Sequence, residues 1–232
     1  MDERKVVLIS GANRGIGEAV GRHLAEQGWQ LSLGMRMPRE AAWHERDGIQ
    51  VVRYDANEAG SEAAWVDQAL KRFGRIDAVI ANAGLMIPKT VIEASDEELD
   101  SLLEINVKAP RRLVAAAWEA LGVSGQGRVI LMASLSGKRV KSAASGLYAM
   151  TKFAAVALTH GIRQAGWEQG IRATAICPSF VATDMARSIT TRNDAEMTHP
   201  ADIARLVGAL LELPNEASVA ELTINCQLEE SY

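Results

Sequence analysis

Seven short runs made up mostly of apolar and β-branched residues, each set apart from the next by a much longer segment, constrain this chain more than any other feature. They are Val6–Ile9, Leu31–Met35, Ile49–Tyr54, Ala78–Ala81, Val129–Met132, Ala173–Cys177 and Leu222–Asn225. A strand with one wet face alternates apolar and polar residues; these runs do not, so each is expected to be covered on both faces. Strand–helix–strand alternation over the whole length implies a parallel sheet with helices on either side and right-handed crossovers. The expected fold is α/β, a doubly wound parallel sheet of about seven strands. At 232 residues the chain fits one such domain spanning 1–232.

The intervening segments carry helix signals. Ile16, Ala19, Val20 and Leu24 fall on one helical face, and Gly28 stands where a helix C-cap belongs. Ser95 and Glu98 form a capping box ahead of Leu99, Leu102, Leu103 and Val107. Pro110 lies inside that pattern and predicts a kink or one loosened turn. A further helix is expected over about 146–169. Pro200 suits a first helical position, before Ile203, Leu206, Val207 and Leu210.

Composition narrows the partners. Lys and Arg number 25 against 29 Asp and Glu, a net charge of −4, which leaves no broad basic surface for nucleic acid or an anionic membrane. An apolar content of 48% excludes a disordered chain, and no apolar stretch approaches a membrane span. Strand-like sequence begins at Val6, leaving no room for a signal peptide, and Cys177 and Cys226 are too far apart for a disulfide framework; a cytoplasmic setting is expected. The four histidines show no metal-ligand spacing, so no metal is expected.

In open parallel sheets ligands sit beyond the carboxyl ends of the strands. After the first strand comes Ser10-Gly11-Ala12-Asn13-Arg14-Gly15-Ile16-Gly17, which opens the first helix. Its glycines permit a tight turn and bring backbone N–H groups toward a pyrophosphate at a helix N-terminus. After the second strand there is no acid to receive a ribose 2′-hydroxyl; Arg36, with Arg14, suits a 2′-phosphate, so NADP is favoured over NAD. Asp55 follows the third strand, placed for an adenine amino group or as an ordinary turn residue. Asn82-Ala83-Gly84 closes the fourth strand with small side chains beside which a ring or ribose fits.

Tyr148 and Lys152 stand at i and i+4, on one helix face. A nearby ammonium favours a phenolate; moving a phenol from about 10 to about 7 takes roughly 4 kcal/mol. Ser134, just after the fifth strand, can donate to a carbonyl oxygen, and Asn106 is a polar insertion between Ile105 and Val107 that either binds a water or serves the backbone near Pro110.

These motifs, with Pro178–Thr183 after the sixth strand, stand in the order of short-chain dehydrogenases/reductases, which the chain resembles over roughly residues 5–185. The resemblance implies a Rossmann-type fold, a nicotinamide cofactor and hydride transfer between carbonyl and alcohol. It implies Tyr148 as general acid/base, Lys152 lowering its pKa and holding the nicotinamide ribose, Ser134 orienting the substrate oxygen and Asn106 supporting a relay water. Pro178, Val181 and Thr183 would face the nicotinamide, and a homo-oligomer is implied. Three departures stand out. Ser179 replaces the usual glycine after Pro178. The Ser134–Tyr148 interval is one residue longer than the commonest spacing in the family, which makes Ser136 a rival. The last strand ends in Asn225-Cys226-Gln227 rather than in glycine.

A small-molecule substrate is expected, enclosed by residues 85–95, 137–147 and a substrate loop at about 184–199. Lys138, Arg139 and Lys141 either favour an anion there or form a solvated loop or subunit contact. Two further readings stay open: a catalytically silent dinucleotide sensor, and an epimerase or dehydratase on the same fold.

Overall fold

In the computed structural model, which describes residues 4–39 and 41–228, all seven apolar runs form strands. They are β1 (Val6–Ser10), β2 (Gln30–Met35), β3 (Ile49–Arg53), β4 (Ala78–Ala81), β5 (Arg128–Met132), β6 (Arg172–Pro178) and β7 (Glu221–Ile224). Every pairing is parallel, in the order β3-β2-β1-β4-β5-β6-β7. Tyr54 and Asn225 fall just outside β3 and β7, shifts of one residue from the sequence reading.

The helices are α1 (Gly15–Glu26), α2 (Ser61–Phe73), α3 (Asp96–Leu103), α4 (Ala109–Val123), α5 (Gly146–Gly166), the short α6 (Asp184–Arg187) and α7 (Pro200–Glu212). They cover both faces of the sheet, which explains the unbroken apolar strands. Along β1, Val6 and Leu8 join the core shared with Trp65 of α2, Leu113 of α4 and Ile162 of α5. Val7 and Ile9 join the opposite core, with Val20 of α1 and Val207 of α7.

The local stop and start signals hold. Gly28 follows the end of α1 at φ +86°, a backbone region that costs other residues energy. Ser95 and Glu98 form the reciprocal capping box of α3. Pro200 occupies the first position of α7. The helix α2 was not singled out in the sequence; its N-cap, Gly60, offers no side-chain signal.

Pro110 loosens its helix in a specific way. Between α3 and α4 the chain makes a π turn, Glu104–Lys108, with the Ala109 amide donating to the Glu104 carbonyl five residues back. Proline has no N–H, so residue 110 cannot donate to the carbonyl of Asn106, its α-helical partner. The helix continues through a wider turn instead of breaking, and Asn106 sits inside that turn.

The chain winds outward from β1 to β3 and returns to β4 beside β1, so the winding reverses between these two neighbours. A crevice opens beyond their carboxyl ends.

Candidate active site

That crevice is a cleft of about 1040 Å³. Its floor is the glycine turn. Gly11 and Gly15 adopt φ of +66° and +57°, and both line the cleft. Gly17 does not line it: a Cβ there would lie 2.3 Å from the Gly11 carbonyl oxygen, so this glycine is required by close packing of helix against turn. Asn13, Arg14 and Ile16 complete the floor.

Asn82 does more than keep the wall small. Its side chain donates to the carbonyls of Ser10 (3.1 Å) and Gly11 (3.2 Å), while its own amide and that of Ala83 donate to Ser10 Oγ at 2.9 and 3.0 Å. These bonds stitch β4 to the glycine turn across the point where the winding reverses. Ser10 was not singled out in the sequence; its only signal is its place immediately before Gly11.

Arg36 and Asp55 lie at one end of the cleft. Arg36 is exposed and pairs with no carboxylate among the described residues. Arg14 is also exposed and pairs with Asp184 at 3.1 Å. Arg39, likewise missed in the sequence, donates to the Asn13 carbonyl and so braces the turn from behind. Asp55 Oδ1 accepts from the amide of Asn57 (3.0 Å), the turn role read as its plainer alternative.

At the other end α5 presents Tyr148 and Lys152, both buried and both lining the cleft. The Lys152 ammonium donates to the Met132 carbonyl at 2.7 Å and lies 5.5 Å from the centre of the Tyr148 ring. Ser134 caps the turn after β5 and lines the same wall. Its Oγ accepts from the Ser136 amide at 3.1 Å, and Ser136 lines the cleft as well.

Asn106 is 3% exposed and does not line the cleft. Its carboxamide accepts from the Leu85 amide (2.9 Å) and donates to the Leu85 carbonyl (2.9 Å) and Thr151 Oγ1 (3.0 Å). Thr151 in turn donates to the Tyr148 carbonyl at 2.9 Å. The side chain thus locks the π turn to the β4 loop and to α5. A Cβ on Gly84 would lie 3.4 Å from Asn106 Oδ1 and 3.8 Å from Lys152 Nζ, so all three residues converge there.

Burial holds the Tyr148 phenol above its ordinary value, partly offset by Ser134. Burial also lowers Lys152, to about 8. The protein by itself therefore keeps Tyr148 a neutral phenol, because desolvation outweighs any help from an ammonium committed to Met132.

After β6, Pro178, Val181 and Thr183 line the cleft facing the glycine turn, with the Thr183 methyl 3.1 Å from where a Gly15 Cβ would lie. All three expected loops reach the rim: Leu85 and Met86 from the first, Arg139 and Lys141 from the second, Met185 and Ile189 from the third. Lys138 is drawn away; it pairs with Glu221 at 2.5 Å. No group of three or more metal-binding side chains is placed to hold an ion among the described residues.

The sequence model for short chain dehydrogenases matches residues 5–194. The chain belongs to the short-chain dehydrogenase family. Agropine synthesis reductase of Rhizobium rhizogenes is 38% identical over 231 residues, covering 98% of this chain and 54% of that protein. The chain therefore spans about half the length of this curated relative and of a second agropine synthesis reductase that it matches. Oxidoreductase UcpA of Escherichia coli K12 is 34% identical over 83% of this chain and 75% of its own length. Among solved structures, an alcohol dehydrogenase from Thermococcus sibiricus complexed with 5-hydroxy-NADP superposes with a TM-score of 0.86 at 31% identity, covering 99% of this chain and 100% of that one. A Burkholderia cenocepacia short chain dehydrogenase in complex with NADP gives 0.87 at 26% identity, covering 96% of each chain.

Within this family member, Ser179 has a structural task. Its amide donates to the Ile224 carbonyl (2.8 Å) and its Oγ accepts from the Cys226 amide (3.1 Å), fastening the end of β6 to the end of β7. Cys177 is buried, its thiol pushed up to about 11 by burial, and stays protonated at neutral pH. Among the described residues no helix is long and apolar enough to cross a membrane.

Proposed function

We propose that the protein is an NADP(H)-dependent oxidoreductase that transfers hydride between the nicotinamide and a small or medium carbonyl or alcohol, with Tyr148 as general acid/base. One observation carries this reading. A single cleft runs from two exposed arginines, Arg14 and Arg36, over a glycine floor to a buried Tyr148 beside Lys152, with the half-buried Ser134 on the same lining. The residues fit a dinucleotide: the turn is held open by two glycines at positive φ, and Gly84 leaves side-chain space empty next to Lys152. The NADP ligand of one structural neighbour and the NADP analogue of another support the cofactor, and the name of the Rhizobium rhizogenes relative supports a reductase.

When bound, the dinucleotide supplies or accepts the hydride. The chain does the rest. Gly11, Asn13, Arg14, Gly15 and Ile16 receive the pyrophosphate at the head of α1, Arg36 faces the 2′-phosphate, and Asp55 and Asn82-Ala83-Gly84 flank the adenosine half. Pro178, Val181 and Thr183 face the nicotinamide. Ser134 orients the substrate oxygen and Tyr148, neutral at physiological pH, gives it a proton; oxidation of an alcohol needs the phenolate and hence higher pH. Lys152 holds the ribose and reloads Tyr148. The Asn106 side chain makes three hydrogen bonds within the fold, so its part in a proton relay falls to its carbonyl, which Pro110 deprives of its α-helical donor. The segment at about 184–199 closes over the substrate. The free, unpaired thiols suit a cytoplasmic setting, and the exposed Met150 and Phe153 of α5 suit a homo-oligomer.

Purified protein with NADPH or NADH and a panel of ketones and aldehydes tests this. Oxidation of NADPH with stoichiometric alcohol is expected. Cofactor binding with no oxidation across the panel would identify a sensor, and product without net cofactor change an epimerase or dehydratase.

A further inference from the structure

Behind the cleft, away from the reacting groups, one guanidinium reaches three separate parts of the fold. Arg112, on α4, donates through Nη2 to the Glu62 carboxylate of α2 (2.9 Å) and to the Ala56 carbonyl (3.1 Å), and through Nη1 to Glu104 (2.6 Å). Ala56 follows Asp55 and, with Tyr54, forms the cleft wall at the Arg36 end. Glu104 is the first residue of the π turn; the next residue, Ile105, lines the opposite wall, and the one after is Asn106. Glu62 is 2% exposed. Burying a carboxylate costs several kcal/mol, and a hydrophobic pair of similar volume would stabilise the same contact at least as well. What such a pair could not do is fix three elements at defined hydrogen-bond distances. The Glu104–Arg112 ion pair also spans the π turn from its first residue to the first turn of α4, across the point where Pro110 has removed a backbone bond.

We propose that Arg112 is a positioning residue that couples the adenine edge of the cleft to the turn carrying Asn106, through Ala56 and Glu62 on one side and Glu104 on the other. This rests on the reading of Asn106 and Asp55 given above. Without the Glu104 arm the widened turn can rotate, and the Asn106 carboxamide then slips from Leu85 and Thr151. Without Arg112 the Asp55–Ala56 segment is loosened as well.

The test separates the two arms. Side-chain exposure at Glu104 is 25%, so Glu104→Gln is tolerated; it leaves an oxygen acceptor for Arg112 but takes the charge out of the turn arm, and with it the Lys108 pair at 3.4 Å. Amide exchange at Leu85, whose N–H is held by Asn106, reports the turn; NADPH fluorescence titration reports the adenine edge. Glu104→Gln is expected to speed Leu85 exchange by about tenfold with melting temperature unchanged and NADPH Kd within about twofold of wild type. Arg112→Lys keeps the charge but offers one ammonium for three acceptors, and is expected to speed Leu85 exchange and to weaken NADPH binding roughly threefold to tenfold. In the double variant, Glu104→Gln should add little further exchange, since its partner is already lost. Unchanged Leu85 exchange in Glu104→Gln, or independent, additive effects of the two substitutions, would overturn the coupling. Should Arg112→Lys fail to fold, Glu104→Gln alone decides. The enzymatic reading stands or falls separately, on the turnover of a Tyr148→Phe variant.

Discussion

Lys152 lies one helical turn from Tyr148, but its ammonium is turned to the Met132 carbonyl at 2.7 Å and stands 5.5 Å from the centre of the phenol ring. Buried together, the two groups are each held in the neutral direction: the phenol above its ordinary value, the ammonium down to about 8. Lys152 therefore makes stability depend on pH. Its folded pKa lies below the unfolded one near 10.5, so between about pH 8 and pH 10 the unfolded chain binds more protons and stability rises with pH. Below pH 8 the folded protein bears the whole cost of a buried cation, on the order of 3 kcal/mol. Lys152→Met should flatten this rise. Urea unfolding across the window checks it, and a slope unchanged in the variant would remove Lys152 as its source.

Tyr148→Phe removes the proton but keeps the ring that packs with Leu102 and Leu147. Turnover with NADPH and a reactive ketone should fall by about a hundredfold or more, in the range of lost acid–base catalysis, while NADPH affinity stays within about twofold. Wild-type turnover would refute the assignment.

Pro110→Ala restores an N–H four residues after Asn106. The π turn can then close into a regular α-helix, and the Asn106 carbonyl gains a backbone donor. Stability should rise by about 1–3 kcal/mol while turnover falls by about tenfold with NADPH affinity retained. Stability and turnover moving in the same direction would show the turn to be a packing defect without a role in proton transfer.

Arg36→Asp should shift coenzyme preference toward NAD, because a carboxylate repels a 2′-phosphate and accepts from a 2′-hydroxyl. Arg14→Gln should matter less, since Arg14 already pairs with Asp184 at 3.1 Å. The ratio of kcat/KM for NADPH over NADH measures both, and an unchanged ratio in Arg36→Asp would make that arginine an ordinary surface charge.

What the sequence alone determined is what neighbours in the chain can fix. The apolar runs, the glycine turn, the Ser95–Glu98 cap, Pro200 at a helix start, the Tyr148–Lys152 spacing and the loosened turn at Pro110 all follow from residues within a few positions of one another, where φ/ψ limits and helical periodicity suffice. The tertiary structure decided the rest. It set Ser134 at the cap of the turn after β5, with the Ser136 amide donating to it. It made Gly17 a packing glycine and Asn82 a stitch to Ser10, 72 residues away. Lys138 was drawn off to Glu221, 83 residues on, leaving Arg139 and Lys141 at the rim. Burial, a property of the assembled layers, pushes the Tyr148 phenol upward in the protein alone. Hydrogen bonds and desolvation at long separation depend on strand order and on which faces meet, and no local pattern in the chain encodes either.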